Sequence, residues 1–274
     1  MLPGTTLARI LSRSGVDWIC VDTEHGLLSD SHMHESVAAI AASGVSPVVR
    51  IPSNEAWMVK RALDSGAHGI IVPLLNTADD ARRLVASAKF PPVGMRGYGS
   101  PFPMEKFHPA HFGSGSSGIT GSGSVNAPSM TEYLQQANDA LVTVVQIETL
   151  SALQNVDAIA AVDGIDVLLI GPFDLGNNIG HPIIDYMADE LKDAIAKIHQ
   201  AAQKAGKRTG IYCTSGEQAR EYADMGFHMI SALTDAAILT QGCGGAVKAA
   251  QGGVAHAAIQ GVKQGVSKMT YAGS

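Results

Sequence analysis

The stretch VVQIETLSALQNVDAIAAVDGIDVLLIGPFDL, residues 144–175, decides the fold. It holds two apolar runs that each stop at a carboxylate, with a helical segment between them. Residues 142–147 form a β-branched run suited to a strand buried on both faces, and Glu148 ends it. Residues 167–170 repeat the pattern, break at Gly171 and Pro172, and lead to Asp174. Between the runs, Ala152, Val156, Ile159, Ala160 and Val162 keep a nearly helical period. The unit therefore predicts strand, helix, strand, with the strands parallel. Glu148 and Asp174 then stand just past the C-terminal ends of neighbouring strands, where parallel α/β sheets and barrels bind ligands. Two acids converging there can hold a divalent cation through oxygen ligands. The competing reading makes each acid the cap of the next helix; Thr149 and Ser151 after Glu148 suit it, whereas GPFDL is a poor capping sequence.

The same rhythm extends in both directions. A first helix over residues 5–12 leads to a strand at 18–21 and a polar tip of Asp22, Glu24 and His25. A helix over 31–43 ends at Gly44, and the strand at 47–49 ends at Arg50. Asn54 is expected to cap a helix reaching Ser65, and Thr77 one reaching about Ala88, with a strand at 69–72 between them. Downstream, LGNNIGHP reads as a polar loop, a long helix covers about 186–205, and strands follow at 209–213 and 227–231. A βα repeat of this kind predicts a (β/α)8 barrel. Nothing before the helix at 5–12 can serve as strand one, so the first strand is expected to be missing or truncated, an unpaired barrel edge being unfavourable. The whole chain, 1–274, is read as one barrel domain, with a lid or flexible loop at 91–130 and a final helix at 234–260. Within the loop, Arg96, Tyr98, Phe102, Phe107 and His108 suit binding, while the Gly/Ser tract at 113–124 lacks the lysine and spacing of a phosphate loop.

Composition narrows the function. With 274 residues and 46% hydrophobic content the chain can bury a large core, and a formal charge of -6 without a Lys or Arg run argues against nucleic-acid or membrane partners. Cys20, Cys213 and Cys243 are too scattered for a disulfide framework or zinc cluster, which suits a reducing, cytoplasmic setting. No Lys stands in the motifs at a strand end, so a Schiff-base aldolase is disfavoured.

The motifs DWICVDTEHG (17–26), VVRIPSN (48–54), GAHGIIVPLLNTADDAR (66–82), GMRGYG (94–99), QIETLSAL (146–153) and GPFDL (171–175) stand in an order and spacing that resemble the HpcH/HpaI class II pyruvate aldolase family. That family is typified by 4-hydroxy-2-oxoheptanedioate aldolase. VDTEHG and GYGSPFPMEKFHP are most similar to its macrophomate synthase branch, which decarboxylates oxaloacetate and uses the enolate to form carbon-carbon bonds. The resemblance implies metal ligation by Glu148 and Asp174, with Mg²⁺ as the ion and Mn²⁺ or Co²⁺ accepted by the same oxygen ligands. It implies catalytic roles for His25, Arg50 and Asp22, and substrate contacts from Gln146, from the turn at Phe173 and Asp174, and from Tyr133. It also implies a homo-oligomer, a hexamer or trimer of dimers, with the last helix exchanged between subunits.

These residue types suit the chemistry. A pyruvate enolate carries negative charge that a chelated cation and an Arg50 fork can stabilise, and His25 can carry the proton if Asp22 or a neighbour orients its ring. The expected function is a metal-dependent carbon-carbon lyase of 2-oxo acids, by retro-aldol cleavage or oxaloacetate decarboxylation. The alternatives are a barrel that lost catalysis and serves as a ligand-binding or assembly protein, and a phosphate-handling isomerase, for which no Gly-rich turn follows the last strands.

Overall fold

The computed structural model describes residues 1–103 and 129–270, with side chains as far as residue 252. It divides into two compact units, Met1–Ala232 and Leu233–Ser274. The first unit alternates α1 (Thr5–Leu11), β1 (Trp18–Asp22), α2 (Asp30–Ala42), β2 (Ser46–Arg50), α3 (Ala56–Asp64), β3 (Gly69–Val72) and α4 (Ala78–Ala88). After residues 104–128 come α5 (Met130–Ala140), β4 (Val142–Ile147), two short helices α6 (Leu150–Gln154) and α7 (Val156–Ala160), β5 (Val167–Ile170), α8 (Pro172–Asn178), α9 (Asp189–Lys204), β6 (Arg208–Tyr212), α10 (Gly216–Asp224) and β7 (Met229–Ser231). The second unit contains one long helix, α11 (Asp235–Thr270), over the region where a final helix is expected.

The seven strands form one sheet in chain order, and every neighbouring pair is parallel. This is the wall of a TIM-like barrel. Helices cover one face, where Ile40, Leu63, Leu84, Ile159 and Ile198 are at most 1% exposed and each such side chain contributes about 1.5–3 kcal/mol by leaving water. The other face carries a small cluster of Val48, Ile71, Val144, Val167 and Leu169, with Trp18 and Cys20 from β1 and Met229 from β7 packed against it. Strands so far apart in order share one small cluster because the sheet curls around it. Gly210 leaves the room this requires: a Cβ there would come within 2.7 Å of Leu169.

Local chemistry explains the helix starts. Ser29, Thr77 and Ser129 each cap a helix through a capping box, the last two with Asp80 and Glu132. Asn54 does not cap α3: Glu55 holds that position, and the Asn54 amide donates instead to the Asp80 carbonyl at 2.9 Å. The expected polar loop after Asp174 begins as a helix, because Pro172 sits in the first turn of α8, where its missing N–H leaves no bond unmade. Burial pushes the Cys20 thiol up to about 12 and the Cys213 thiol up to about 11, so both stay neutral. Among the described residues no helix is long and apolar enough to cross a membrane.

Residues 90–103 do not leave from a strand end. Met95 N–H donates to the Ala86 carbonyl and Arg96 N–H to that of Lys89, so the segment starts from the last turn of α4, at the N-terminal ends of the strands. The rest of the expected lid, with Phe107, His108 and the Gly/Ser tract, lies outside the described residues.

Candidate active site

Alternation along each strand determines which side chains enter the curled sheet. Val48, Ile71, Val144 and Leu169 face inward, and every second residue of a strand shares a face. Counting on by two puts Arg50 at the end of β2, Gln146 and then Glu148 at the end of β4, and Gly171 just beyond β5 on that inner side. Asp22 follows Cys20 inward from β1.

Asp22 lies opposite Arg50 in the β1–β2 register, so their side chains meet. Arg50 Nε donates to Asp22 Oδ1 at 2.9 Å and Nη2 to Oδ2 at 2.6 Å, a two-pronged fork. The backbone N–H groups of Glu24 and His25 also donate to Oδ1, at 3.2 and 3.3 Å. Burial works to raise the Asp22 carboxyl, but the fork and these N–H groups outweigh it and hold the group below the usual carboxylate range. Burial likewise opposes the Arg50 cation, and Asp22 overrides it, so Arg50 titrates above its ordinary value.

Glu24 shares that guanidinium. Its Oε2 is 3.3 Å from Arg50 Nε and 3.7 Å from His25 Nε2, and it is buried without an aligned hydrogen bond among the described residues. Burial pushes the Glu24 carboxyl up, Arg50 and His25 oppose the shift, and Asp22 and Asp174 reinforce it. The His25 side chain is 58% exposed at the tip. Because Asp22 is committed to Arg50 and the backbone, the carboxylate within reach of the imidazole is that of Glu24.

Glu148 is 3% exposed. It is not a helix cap, since the Thr149 side chain accepts from Ala152 N–H and caps α6. The Glu148 carboxylate instead accepts from Leu74 N–H at 2.9 Å and from the Gln146 amide. Burial raises the Glu148 carboxyl, these two donors pull it back, and Glu24 and Asp174 push it further up. A Cβ at Gly171 would stand 3.0 Å from Glu148 Oε2 and 3.1 Å from Gln146 Nε2, so a glycine keeps this space clear. Asp174 is exposed in the first turn of α8 and makes no cap bond either. Beside it, the Phe173 ring tilts against Tyr212 with centroids 6.1 Å apart.

The structure thus brings Asp22, His25, Arg50, Gln146, Glu148, Phe173 and Asp174 to the C-terminal ends of the strands. Tyr133 does not join them. It is 2% exposed, its ring meets Phe90 edge-on, and Arg96 donates to its hydroxyl at 3.3 Å near the opposite end of the sheet. Lys89, the buried lysine among the described residues, is also at that end, where its ammonium donates to the Asn138 and Leu141 carbonyls. Two participants escape the sequence reading of the site. Glu24 was visible within the polar tip, but nothing in the sequence marks Leu74.

A divalent cation fits the residues at Glu148. A buried carboxylate stands within electrostatic reach of two further acids, the Gln146 Oε1 atom is buried without a partner among the described residues, and Gly171 leaves space beside both. No three His, Cys, Asp or Glu side chains converge as a protein-only ligand set among the described residues. An ion at Glu148 and Asp174 would draw its remaining ligands from water and substrate.

Residues 2–241 match the family model described as HpcH/HpaI aldolase/citrate lyase. A hydroxypyruvate/pyruvate aldolase of Rhizorhabdus wittichii is 36% identical over 240 residues, covering 87% of either chain. A 4-hydroxy-2-oxo-heptane-1,7-dioate aldolase of Klebsiella pneumoniae is 33% identical over 238 residues, 86% of this chain and 81% of its own. The crystal structure of macrophomate synthase superposes with a TM-score of 0.79 at 24% identity, over 93% of this chain and 83% of its own, which shows the shared fold.

Proposed function

Because the chain belongs to the HpcH/HpaI aldolase/citrate lyase family, we propose that it is a divalent-metal-dependent carbon-carbon lyase acting on 2-oxo acids through a pyruvate enolate. The observation that carries this reading is Glu148, a buried acid whose charged neighbours are the acids Glu24 and Asp174, placed where a parallel barrel binds ligands. A cation held by Glu148 and Asp174, with Mg²⁺ first among the candidates, would supply Lewis-acid polarisation of the 2-oxo group.

The chain's own residues perform the rest. The first-turn N–H groups at Phe173 and Asp174 receive the substrate carboxylate, and Gln146 and the clear space at Gly171 admit its 2-oxo end. Arg50, held by Asp22, presents its remaining N–H groups to the oxygen on which charge develops. His25 takes the hydroxyl proton of a 4-hydroxy-2-oxo acid as the C3–C4 bond breaks and the bonding pair moves into the enolate. The aldehyde leaves, and protonation at C3 yields pyruvate. Oxaloacetate reaches the same enolate by losing CO₂. Tyr133 has no part in this scheme. Assembly as a homo-oligomer that exchanges α11 belongs to the same reading and rests on family resemblance; sedimentation of the full chain and of a chain ending at Ala232 tests it.

The direct test is pyruvate release from oxaloacetate by the purified protein, with EDTA and then with Mg²⁺ restored. Metal-dependent turnover that Glu148→Gln abolishes is the expected result. A folded protein that binds Mn²⁺ but turns over neither oxaloacetate nor 4-hydroxy-2-oxo acids is instead a ligand-binding or assembly member of the family.

A further inference from the structure

Leu74 is the only non-glycine residue with a positive φ among the described residues, at 54°. Bulky side chains rarely occupy this left-handed region, and where they do, surrounding structure has to impose it. Here the surroundings are visible. Pro73 fixes the chain before Leu74, and after it Asn76 bonds back through its amide to the Leu74 carbonyl at 3.2 Å. Asn76 is itself gripped by the segment after β4: the Thr149 hydroxyl donates to its side chain, and the Asn155 amide donates to its carbonyl at 2.9 Å. Asp80 closes the far side by accepting from Asn76 N–H at 3.1 Å and Thr77 N–H at 2.9 Å. Burial of the side chain is not what holds Leu74, because it is 58% exposed and borders a cavity of about 190 Å³ between the loops after β2 and β3.

What the left-handed turn accomplishes is to let one N–H face Glu148 while the chain beyond it turns into the Asn76 clasp. The N–H points at Glu148 Oε1, 2.9 Å away, across from the neighbouring strand. With the chain after it held by that clasp, a leucine in the ordinary helical or extended regions would draw the N–H off Glu148 and leave a buried carboxylate with the Gln146 amide as its remaining donor among the described residues. The same loop that bonds Glu148 is bonded by Thr149, the next residue, so the carboxylate and its donor move as one body. We propose that Leu74 is a positioning residue, whose backbone, locked in the left-handed region by the Asn76 clasp, sets the Glu148 carboxylate in its cation-binding orientation. The proposal rests on the metal-dependent reading of the site and adds a residue that acts through its backbone, with the side chain free to vary.

Substitution should therefore sort by backbone preference and ignore side-chain size. Leu74→Gly adopts the left-handed region without strain and keeps the N–H. Leu74→Val keeps the N–H but, being β-branched, resists that region, and Leu74→Pro loses both. Mn²⁺ dissociation constants measured by electron paramagnetic resonance should stay within about twofold for Leu74→Gly, although most of the side chain is gone. They should weaken by about tenfold or more for Leu74→Val and further for Leu74→Pro, the range expected for groups that orient metal ligands. Thermal unfolding in EDTA checks that each variant is folded. Equal affinities for wild type and Leu74→Val, or a Leu74→Gly loss as large as that of Leu74→Val, would overturn the proposal. A second measurement does not depend on metal: hydrogen exchange at the Leu74 amide in EDTA should accelerate about tenfold or more in Glu148→Ala, and an unchanged rate would also overturn it. If the wild type takes up no Mn²⁺ at all, the metal-dependent reading fails on its own, and the exchange rate alone decides whether Leu74 holds Glu148.

Discussion

Two guanidiniums, Arg96 buried and Arg50 partly buried, stand at opposite ends of the same sheet, and their surroundings differ in a way that separates structure from chemistry. Arg96, with a side chain 1% exposed, lies over the Phe90 ring at 4.6 Å, pairs with Asp64 at 2.9 Å and donates to the Tyr133 hydroxyl. Among the described residues the Arg96 guanidinium meets one carboxylate and two aromatic side chains. Arg50 is forked by Asp22 and also drawn by Glu24, while Glu148 and Asp174 stand within electrostatic reach of Glu24 and make no ion pair with a cation among the described residues. Two carboxylates share that guanidinium, and two more stand beyond them. At the first end the cation is matched within the protein; at the second, on the proposed reading, an external cation would offset the buried Glu148 carboxylate, whose charge is disfavoured away from water.

That contrast can be broken by mutation. The largest effect is expected at Glu148: Glu148→Gln should lower kcat on the order of 10³-fold, the loss of several kcal/mol of charge stabilisation. Its melting temperature in EDTA should hold or rise, since a neutral amide replaces an acid that burial disfavours. Arg96→Met should do the opposite. Removing one partner of the Arg96–Asp64 pair is expected to destabilise the fold by about 3 kcal/mol in urea titrations, with kcat per folded molecule unchanged. If Arg96→Met abolished turnover in folded protein, the division between the two ends would fail. Arg50→Lys comes next, with kcat about 10²-fold down while Mn²⁺ affinity is retained, because an ammonium cannot form the Asp22 fork and still face the substrate.

The smallest effects are in pH dependence. Asp22 titrates below its ordinary 3.8 in the folded state, so its contribution to stability is complete above 3.8 and is lost as the pH falls through the lower folded value. Glu24 titrates above its ordinary 4.5, so it is unfavourable at neutral pH, and that penalty fades as the pH falls towards 4.5. Urea midpoints in EDTA should show the gap between Glu24→Gln and wild type closing from pH 7 to 4.5. The advantage of wild type over Asp22→Asn should vanish only below 3.8. A wild-type advantage over Asp22→Asn that was already gone at pH 6 would mean that the fork contributes nothing.

Most of the scaffold was legible because strands buried on both faces are continuous apolar runs and the helix starts carry capping residues. Residues 142–147 and 167–170 match β4 and β5 to the residue. The misreadings have local causes. Asn54 carries a capping side chain but spends it on the Asp80 carbonyl, and LGNNIGHP looks like a loop because its helix is short and polar. Tyr133 was misplaced because the elements on either side of residues 104–128 determine where α5 docks, and sequence distance does not reveal that α4 ends at the far end of the sheet.

By itself the sequence determined the repeat of strands and helices and the strand-end positions of Asp22, Arg50, Glu148 and Asp174, since hydrophobic period and turn chemistry are local properties of a chain. Only the tertiary structure decided which of those groups share a charge. It gave Asp22 to Arg50, set Glu24 beside the same guanidinium, enclosed Arg96 with Asp64, and turned the Leu74 N–H onto Glu148. Strand register, sheet curl and a left-handed backbone make those pairings, and each depends on contacts between segments far apart in the chain.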